Sequence, residues 1–282
     1  MDNKDIEQIK STAAGMAEDL TALRRYLHAH PEVSWQEVET SRLIASKLEE
    51  IGLNPRIGSG GKPVGVVADL DCGKGGKNPC VALRADIDAL GFSEENDIGY
   101  KSLNPGAMHA CGHDRHIAML LGAAKILYSM RDRIRGRVRF KLQPAEEFGA
   151  GSGAQVMVKE GVLEGVDAIA GMHLWSHVPS GRVQWRCGPV MGTSDDWEVC
   201  FRGKGGHGAM PHQTITPPSS RLTSSWPFRA SSAGRPILLK PALSARASST
   251  PERSSTSFRR RRNCAATFGR STPTSAPKSL SC

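Results

Sequence analysis

The stretch His109-Ala110-Cys111-Gly112-His113-Asp114-Arg115-His116 concentrates a thiol, three imidazoles and a carboxylate in eight residues. Cys111 and His113 stand two apart, so they cannot chelate from one helix face, where ligands want i,i+4 spacing. On a loop both side chains can turn toward one ion, and Gly112 between them relaxes the backbone. Thiolate and neutral imidazole are ligands for zinc and its divalent neighbours. Taken alone, such a pair is more often a buried structural cysteine beside ordinary loop histidines. The other polar motifs have to decide.

Three of them do. Arg84-Ala85-Asp86-Ile87-Asp88, Pro144-Ala145-Glu146-Glu147 and Gly171-Met172-His173-Leu174-Trp175 each follow a short apolar run. Each has a bland explanation: Asp86 caps a turn, Glu146-Glu147 is a solvated charge pair, His173 is a satisfied core histidine. Together they supply what a two-ion hydrolytic centre requires. Two divalent ions held roughly 3.5–4 Å apart polarise a carbonyl and lower the pKa of a water. Such a centre needs a bridging anion, terminal ligands, and one free carboxylate to move the water's proton to a departing amine. Adjacent glutamates suit that division, with Glu147 on metal and Glu146 facing the water. Asp86 or Asp114 then serves to orient the ligating imidazoles.

These loops need a frame that brings them together. Met16, Leu20, Leu23 and Leu27 recur at helical spacing, as do Leu43, Ile44, Leu48 and Ile51, after which Gly52 is placed to cap. The period then changes. Val64 to Leu70 and Cys80 to Leu83 are short apolar runs between Gly, Pro and Asn clusters, the pattern of buried strands. Ile117 to Met130 predicts a helix directly after the Cys/His loop. Val138, Phe140 and Leu142 alternate as a strand stopped by Pro144, Gly153 to Gly161 predicts a helix, and Val166 to Met172 another strand. Strands alternating with helices predict an α/β fold, a sheet covered by helices on both faces. In such sheets sites form beyond the carboxyl ends of the strands, which is where all four motifs fall.

The motifs also carry a resemblance. His109-Ala-Cys-Gly-His-Asp, Gln143-Pro-Ala-Glu-Glu, Gly171-Met-His-Leu-Trp and Gly203-Lys-Gly-Gly-His-Gly-Ala-Met-Pro-His resemble the amidohydrolases that cleave N-acyl amino acids, within the dinuclear metallopeptidase family. Leu27-His-Ala-His-Pro-Glu and Ala82-Leu-Arg-Ala-Asp-Ile-Asp-Ala-Leu match as well, and the likeness runs from about Leu23 to Ile215. It implies hippurate-hydrolase or auxin-conjugate-hydrolase chemistry on a small N-acyl amino acid. Two divalent metal ions are implied, Zn2+ or Mn2+, with Co2+ or Ni2+ as alternatives. Cys111 would bridge them, His113, Glu147 and His173 would be terminal ligands, and Glu146 the general base. His207 matches a histidine that in relatives stabilises the tetrahedral oxyanion, sometimes from the partner subunit. The fold implied is a metallopeptidase-like catalytic domain with an inserted α+β domain that dimerises in relatives. Here residues 1–187 would be the N-terminal part of the catalytic domain and 188–215 the start of the insertion, with Trp197, Val199 and Phe201 in its first strand.

Beyond Ile215 the character changes. Where the family has Asp-Pro and a long apolar helix, this chain has Thr216-Pro217-Pro218-Ser219-Ser220. From Thr214 onward stand 12 Lys and Arg against one acid, Glu252, whereas residues 1–213 hold 25 basic and 27 acidic side chains. The chain's net charge of +9 therefore belongs to the tail and implies no anionic partner for the rest. Composition predicts a disordered basic tail over 216–282. Because the resemblance breaks off inside a domain and not at a linker, an out-of-frame product ranks above a nucleic-acid-binding segment. The fifth ligand of relatives, a histidine, lies in the half they have beyond this point, and no histidine follows His212. Three outcomes stay open: a working amidohydrolase, a non-catalytic remnant or, ranked last, a chain that binds nucleic acid through its basic tail. Seven scattered cysteines without a secretory pattern predict reduced thiols in the cytoplasm, and no apolar run reaches membrane-spanning length.

Overall fold

The computed structural model describes residues 3–73, 79–188, 207, 209, 211–213, 229–232 and 235–238. The backbone divides into two compact units, Met1–Arg182 and Val183–Cys282.

In the first unit, helices α1 (Asn3–Gly15), α2 (Ala17–Ala29) and α3 (Val38–Ile51) precede strands β1 (Arg56–Ser59), β2 (Lys62–Asp71) and β3 (Cys80–Asp86). Helix α4 (His113–Ser129), β4 (Arg137–Gln143), α5 (Gly153–Lys159) and β5 (Ala168–Gly171) complete it. One five-stranded sheet results, in the order β1-β2-β4-β3-β5. β3 runs parallel to both β4 and β5, while β2 is antiparallel to β1 and β4. The three parallel strands thus end on the same edge, and it is their ends that carry Asp86, Gln143 and Gly171.

Alternation along the strands assigns the two faces. Val66, Ala68 and Leu70 of β2 and Val138, Phe140 and Leu142 of β4 pack with Leu27, Ile44, Leu48, Ile117 and Leu121 from α2, α3 and α4. Several of these side chains are fully buried, Phe140 the largest of them, and each contributes about 2 kcal/mol by removal from water. Val67 points the other way, to Met157 and Val162 around α5. On that face Arg139 is answered by its cross-strand partner Asp69, with both carboxylate oxygens at 2.7 Å. Helices therefore cover both faces, as the alternation of elements predicts. Gly52 closes α3 in the left-handed conformation at φ 101°.

Three features depart from expectation. α1 exists although no residue of it is buried, and β1 forms although its residues are mostly exposed, because β2 beside it offers a free ladder. In the tail expected to be disordered, β6 (Arg229–Ser232) and β7 (Arg235–Leu238) form an antiparallel hairpin. Ala233 and Gly234 stand between them in sequence, and a two-residue connection containing Gly is a hairpin signal. That is a local correction to a disordered tail. The expected first strand of the insertion, at Trp197, Val199 and Phe201, lies outside the described residues, as does most of 216–282. Among the described residues no helix is long and apolar enough to cross a membrane.

Candidate metal centre

His113 opens α4 and is completely buried. Gly112 before it is left-handed at φ 88°, with the Leu174 side chain 3.5 Å from where a Cβ would stand. The turn therefore needs glycine for its torsion, since a Cβ would meet Leu174 only at ordinary van der Waals distance. The Nδ1–H of His113 donates to the Asp88 carbonyl oxygen at 2.9 Å, with the Asp88 carboxylate 3.3 Å away. This turns Nε2 toward the strand ends, 3.6 Å from Asp86 Oδ2 and 3.9 Å from Glu147 Oε1.

Cys111 Sγ lies 3.4 Å from His173 Nε2, and His173 is oriented by its Nδ1–H donating to the Leu174 carbonyl at 2.6 Å. Glu147 is held through its backbone, whose N–H donates to Asp88 Oδ2 at 2.9 Å. Burial, then the neighbouring Glu147 and Asp86 carboxylates, push the Glu146 carboxyl above its ordinary range.

Among the described residues, donor atoms fall into three groups, each within 4.8 Å: Cys111, His113 and His173; His113, Glu146 and Glu147; Asp86, His113 and His116. His113 belongs to all three. The last group is of a different kind, because both His116 nitrogens are engaged. Nδ1 meets Asp86 Oδ1 at 2.5 Å, and Nε2 accepts the Leu174 N–H at 3.1 Å. His116 is an orienting side chain that ties Asp86 to the His173 loop.

The fit to divalent cations rests on what these residues leave unsatisfied. His113 Nε2, Asp86 Oδ2 and Glu147 Oε1 are buried without hydrogen-bond partners, although such atoms are costly to desolvate. Arg84 lies 2.8 Å from Asp86 Oδ2 but off the hydrogen-bond direction. Burial alone would lower the His113 pKa, yet Asp88, Cys111 and Asp86 outweigh it and raise it to about 11. Burial would likewise raise Asp86, but His116 and Arg84 hold it well below the usual carboxylate range. Thiol, imidazoles and carboxylates converge on one place and together call for positive charge there. The donor set fits zinc or a neighbouring divalent ion.

The expected site residues thus fall into distinct places. Cys111, His113, Glu146, Glu147 and His173 come together, and Asp86 stands behind them. Asp114 does not join them, which corrects its expected role. Its Oδ2 accepts from His28 Nδ1 at 2.8 Å and forms an ion pair with the Arg24 guanidinium, whose Nε lies 2.8 Å away but off the hydrogen-bond direction, so the imidazole it orients is that of α2. An Asp at the second position of α4 points away from the loop that His113 faces. His207 lies in the second unit, where its Nδ1 accepts the Ala209 N–H at 3.2 Å. Asp88, which holds both His113 and Glu147, is missing from the expected set. Its signal was the Asp-x-Asp spacing at the end of β3, since residues two apart in an extended chain share a face.

His28 also bonds Glu94 Oε1 at 3.2 Å, so one buried imidazole joins two buried carboxylates. The Asp114 bond, against the opposing pull of burial, raises its pKa, with Glu94 adding to it. A raised folded pKa means a contribution to stability that is complete below the unfolded value near 6.5 and is lost as pH climbs through the folded value. His28→Leu is expected to cost about 2 kcal/mol at about pH 6 and less at about pH 9. Urea unfolding at the two pH values checks both size and direction; a penalty growing with pH would refute the assignment.

The family model "Peptidase family M20/M25/M40" matches residues 82–277, more than half of the chain. The protein belongs to that family. It is 47% identical over 209 residues to the N-acyl-L-amino acid amidohydrolase of Geobacillus stearothermophilus, covering 74% of this chain and 55% of the relative. With thermostable carboxypeptidase 2 of Saccharolobus solfataricus it shares 44% over 212 residues, 75% of this chain and 53% of the relative. Among solved structures it is similar to the Bacillus subtilis YXEP protein, described as a dinuclear metal binding peptidase from the M20 family. That match has a TM-score of 0.60 and 40% identity, over 69% of this chain and 52% of the other. The chain spans about half the length of the relatives it matches.

Proposed function

We propose that this chain carries the metal centre of an amidohydrolase that cleaves the amide bond of small N-acyl amino acids such as hippurate. The observation that carries the reading is the convergence of three buried donor atoms without hydrogen-bond partners, on His113, Asp86 and Glu147, beside the Cys111–His173 pair. Cys111, His113, Glu147 and His173 are the residues to hold two divalent ions, Zn2+ or Mn2+ first and Co2+ or Ni2+ next. When bound, such ions supply Lewis acidity and acidify water. Glu146 takes the proton of the attacking water and returns it to the departing amine nitrogen, and its raised pKa suits a group that must hold that proton between the two events. Asp88 fixes His113 and Glu147 in place, and Asp86 does so for His116 and the loop it carries. His207 is assigned to the oxyanion of the tetrahedral intermediate. A free thiol at Cys111 suits a reducing compartment, the cytoplasm.

A second reading, a metal-binding chain without turnover, is favoured by the donor count. Among the described residues four side chains are assigned to two ions, which is few for a centre that turns over. Elemental analysis after dialysis, together with a hippurate assay with and without chelator, separates the two. Chelator-sensitive release of glycine supports the enzyme. Bound metal without release supports the second reading, and neither metal nor release sinks both.

The glutamates are separable as well. Glu146→Gln is expected to retain metal and, where turnover is present, to lower kcat by roughly 10²–10⁴-fold. Glu147→Gln is expected to lose metal too. Equal metal loss in the two variants would show that the roles are shared.

A further inference from the structure

Glu37 is a fully buried carboxyl outside the donor set, and nothing in the reading above uses it. It stands at the N-terminal cap of α3 and is completely buried. Its Oε1 accepts the Ala145 N–H at 2.6 Å across 108 residues of chain. Ala145 is itself unusual. It is a fully buried non-glycine residue at φ 48°, a conformation L-residues adopt only when their surroundings impose it.

The place of that turn explains why it matters. The β4 ladder ends at Gln143, and Pro144 has no N–H to give. Ala145 is then the first residue able to anchor the chain before Glu146 and Glu147. Its peptide is gripped on both sides, the N–H by Glu37 and the carbonyl by the Gly153 N–H at 3.2 Å. Two residues further on, Asp88 takes the Glu147 N–H. Two buried carboxylates from different elements therefore hold alternate amides of the segment that aims the glutamate pair.

The geometry assigns Glu37 as a positioning residue: its carboxyl oxygen, by accepting the Ala145 N–H, locks the left-handed turn that points Glu146 and Glu147 at the metal centre. The consequence for metal rests on the function proposed above; the lock itself does not. Burial raises the Glu37 carboxyl to about 7, so glutamine, which keeps the accepting oxygen, is a close mimic. Methionine keeps the length and loses the acceptor.

The test uses the 282-residue chain as parent, Glu37→Gln and Glu37→Met, and reads two signals. Hydrogen exchange by mass spectrometry follows the amides of 145–147, and a Co2+ titration follows metal affinity through the thiolate-to-cobalt absorption. Glu37→Met is expected to raise exchange in this segment at least about tenfold and to weaken Co2+ binding about 10–100-fold, as removal of outer-sphere partners does. Glu37→Gln is expected within about twofold of the parent in both. Ala145→Gly, which accepts positive φ without strain, is expected to recover part of the Glu37→Met loss. That double variant also keeps the test decisive if Glu37→Met alone unfolds. Unchanged exchange in Glu37→Met, equal damage in Glu37→Gln, or no recovery with glycine at 145 would each overturn the assignment. A parent that binds no Co2+, with exchange behaving as expected, would instead defeat the metal reading and leave the lock standing.

Discussion

His113→Ala is expected to abolish divalent metal binding, a larger effect than loss of any other single donor. Its imidazole is common to all three donor groups among the described residues. Without it the site falls apart into a Cys111–His173 pair and a Glu146–Glu147 pair, and two donors do not hold an ion against water. The affinity loss should reach roughly 100-fold or more, beyond the range of about 10–100-fold seen when outer-sphere partners are removed. Cys111→Ala is expected to lower metal content less completely, because His113 and Glu147 remain. Zinc per chain after dialysis, compared with the thermal midpoints of the metal-free proteins, separates lost ligation from lost folding. Metal content equal to the parent in His113→Ala would remove this residue from the site.

The second large effect comes from a glycine in the scaffold. Gly153 begins α5, where Gly→Ala ordinarily stabilises a helix by about 1 kcal/mol. Here the sign reverses. A Cβ on Gly153 would stand 2.0 Å from the Pro144 carbonyl oxygen and 2.8 Å from its carbon. The obstacle is backbone, so relief requires either the first turn of α5 or the Pro144–Ala145 peptide to move. Gly153→Ala is therefore expected to destabilise by about 3 kcal/mol. Because the displaced peptide leads directly into Glu146 and Glu147, metal affinity should fall with stability. A urea midpoint equal to or above the parent's would show that the turn yields freely.

Much of this architecture is legible in the residues themselves. Val138, Phe140 and Leu142 alternate because one face of β4 meets the helices, and the structure buries those three side chains. The stripe Leu43, Ile44, Leu48, Ile51 and the capping Gly52 correspond to α3 and its left-handed end. In each case a strong period coincides with a strong burial requirement. Where burial is weak the period is absent. α1 buries nothing, and β1 shows only Ser59 to the interior, so neither leaves a mark that hydrophobic spacing could detect.

The site divides along a similar line. Cys111, His113, Glu146, Glu147 and His173 stand out by chemical type, and three parallel strands bring their loops to one edge. Their supports do not stand out. Asp88 and Glu37 look like ordinary acids until the fold sets them against amides of the Glu146–Glu147 turn. Asp114 shows the reverse. Its adjacency to His113 suggested a shared task, but one step along the start of a helix turns a side chain by about 100°, which delivers it to His28 and Arg24.

The two margins of the sheet differ in a way that bears on how the protein behaves in company. β1, at one margin, carries Arg56, and its pairing with β2 shifts register between Ile57 and Ser59. Charge and a bulge are the usual guards against strand addition. β5, at the other margin, is Ala168-Ile169-Ala170-Gly171, uncharged, free of proline and exposed along its whole length. Among the described strands it pairs with β3 alone. Among the described residues, then, β5 is the margin that offers neither charge nor proline against a further strand. A strand added to this sheet would meet its least resistance there.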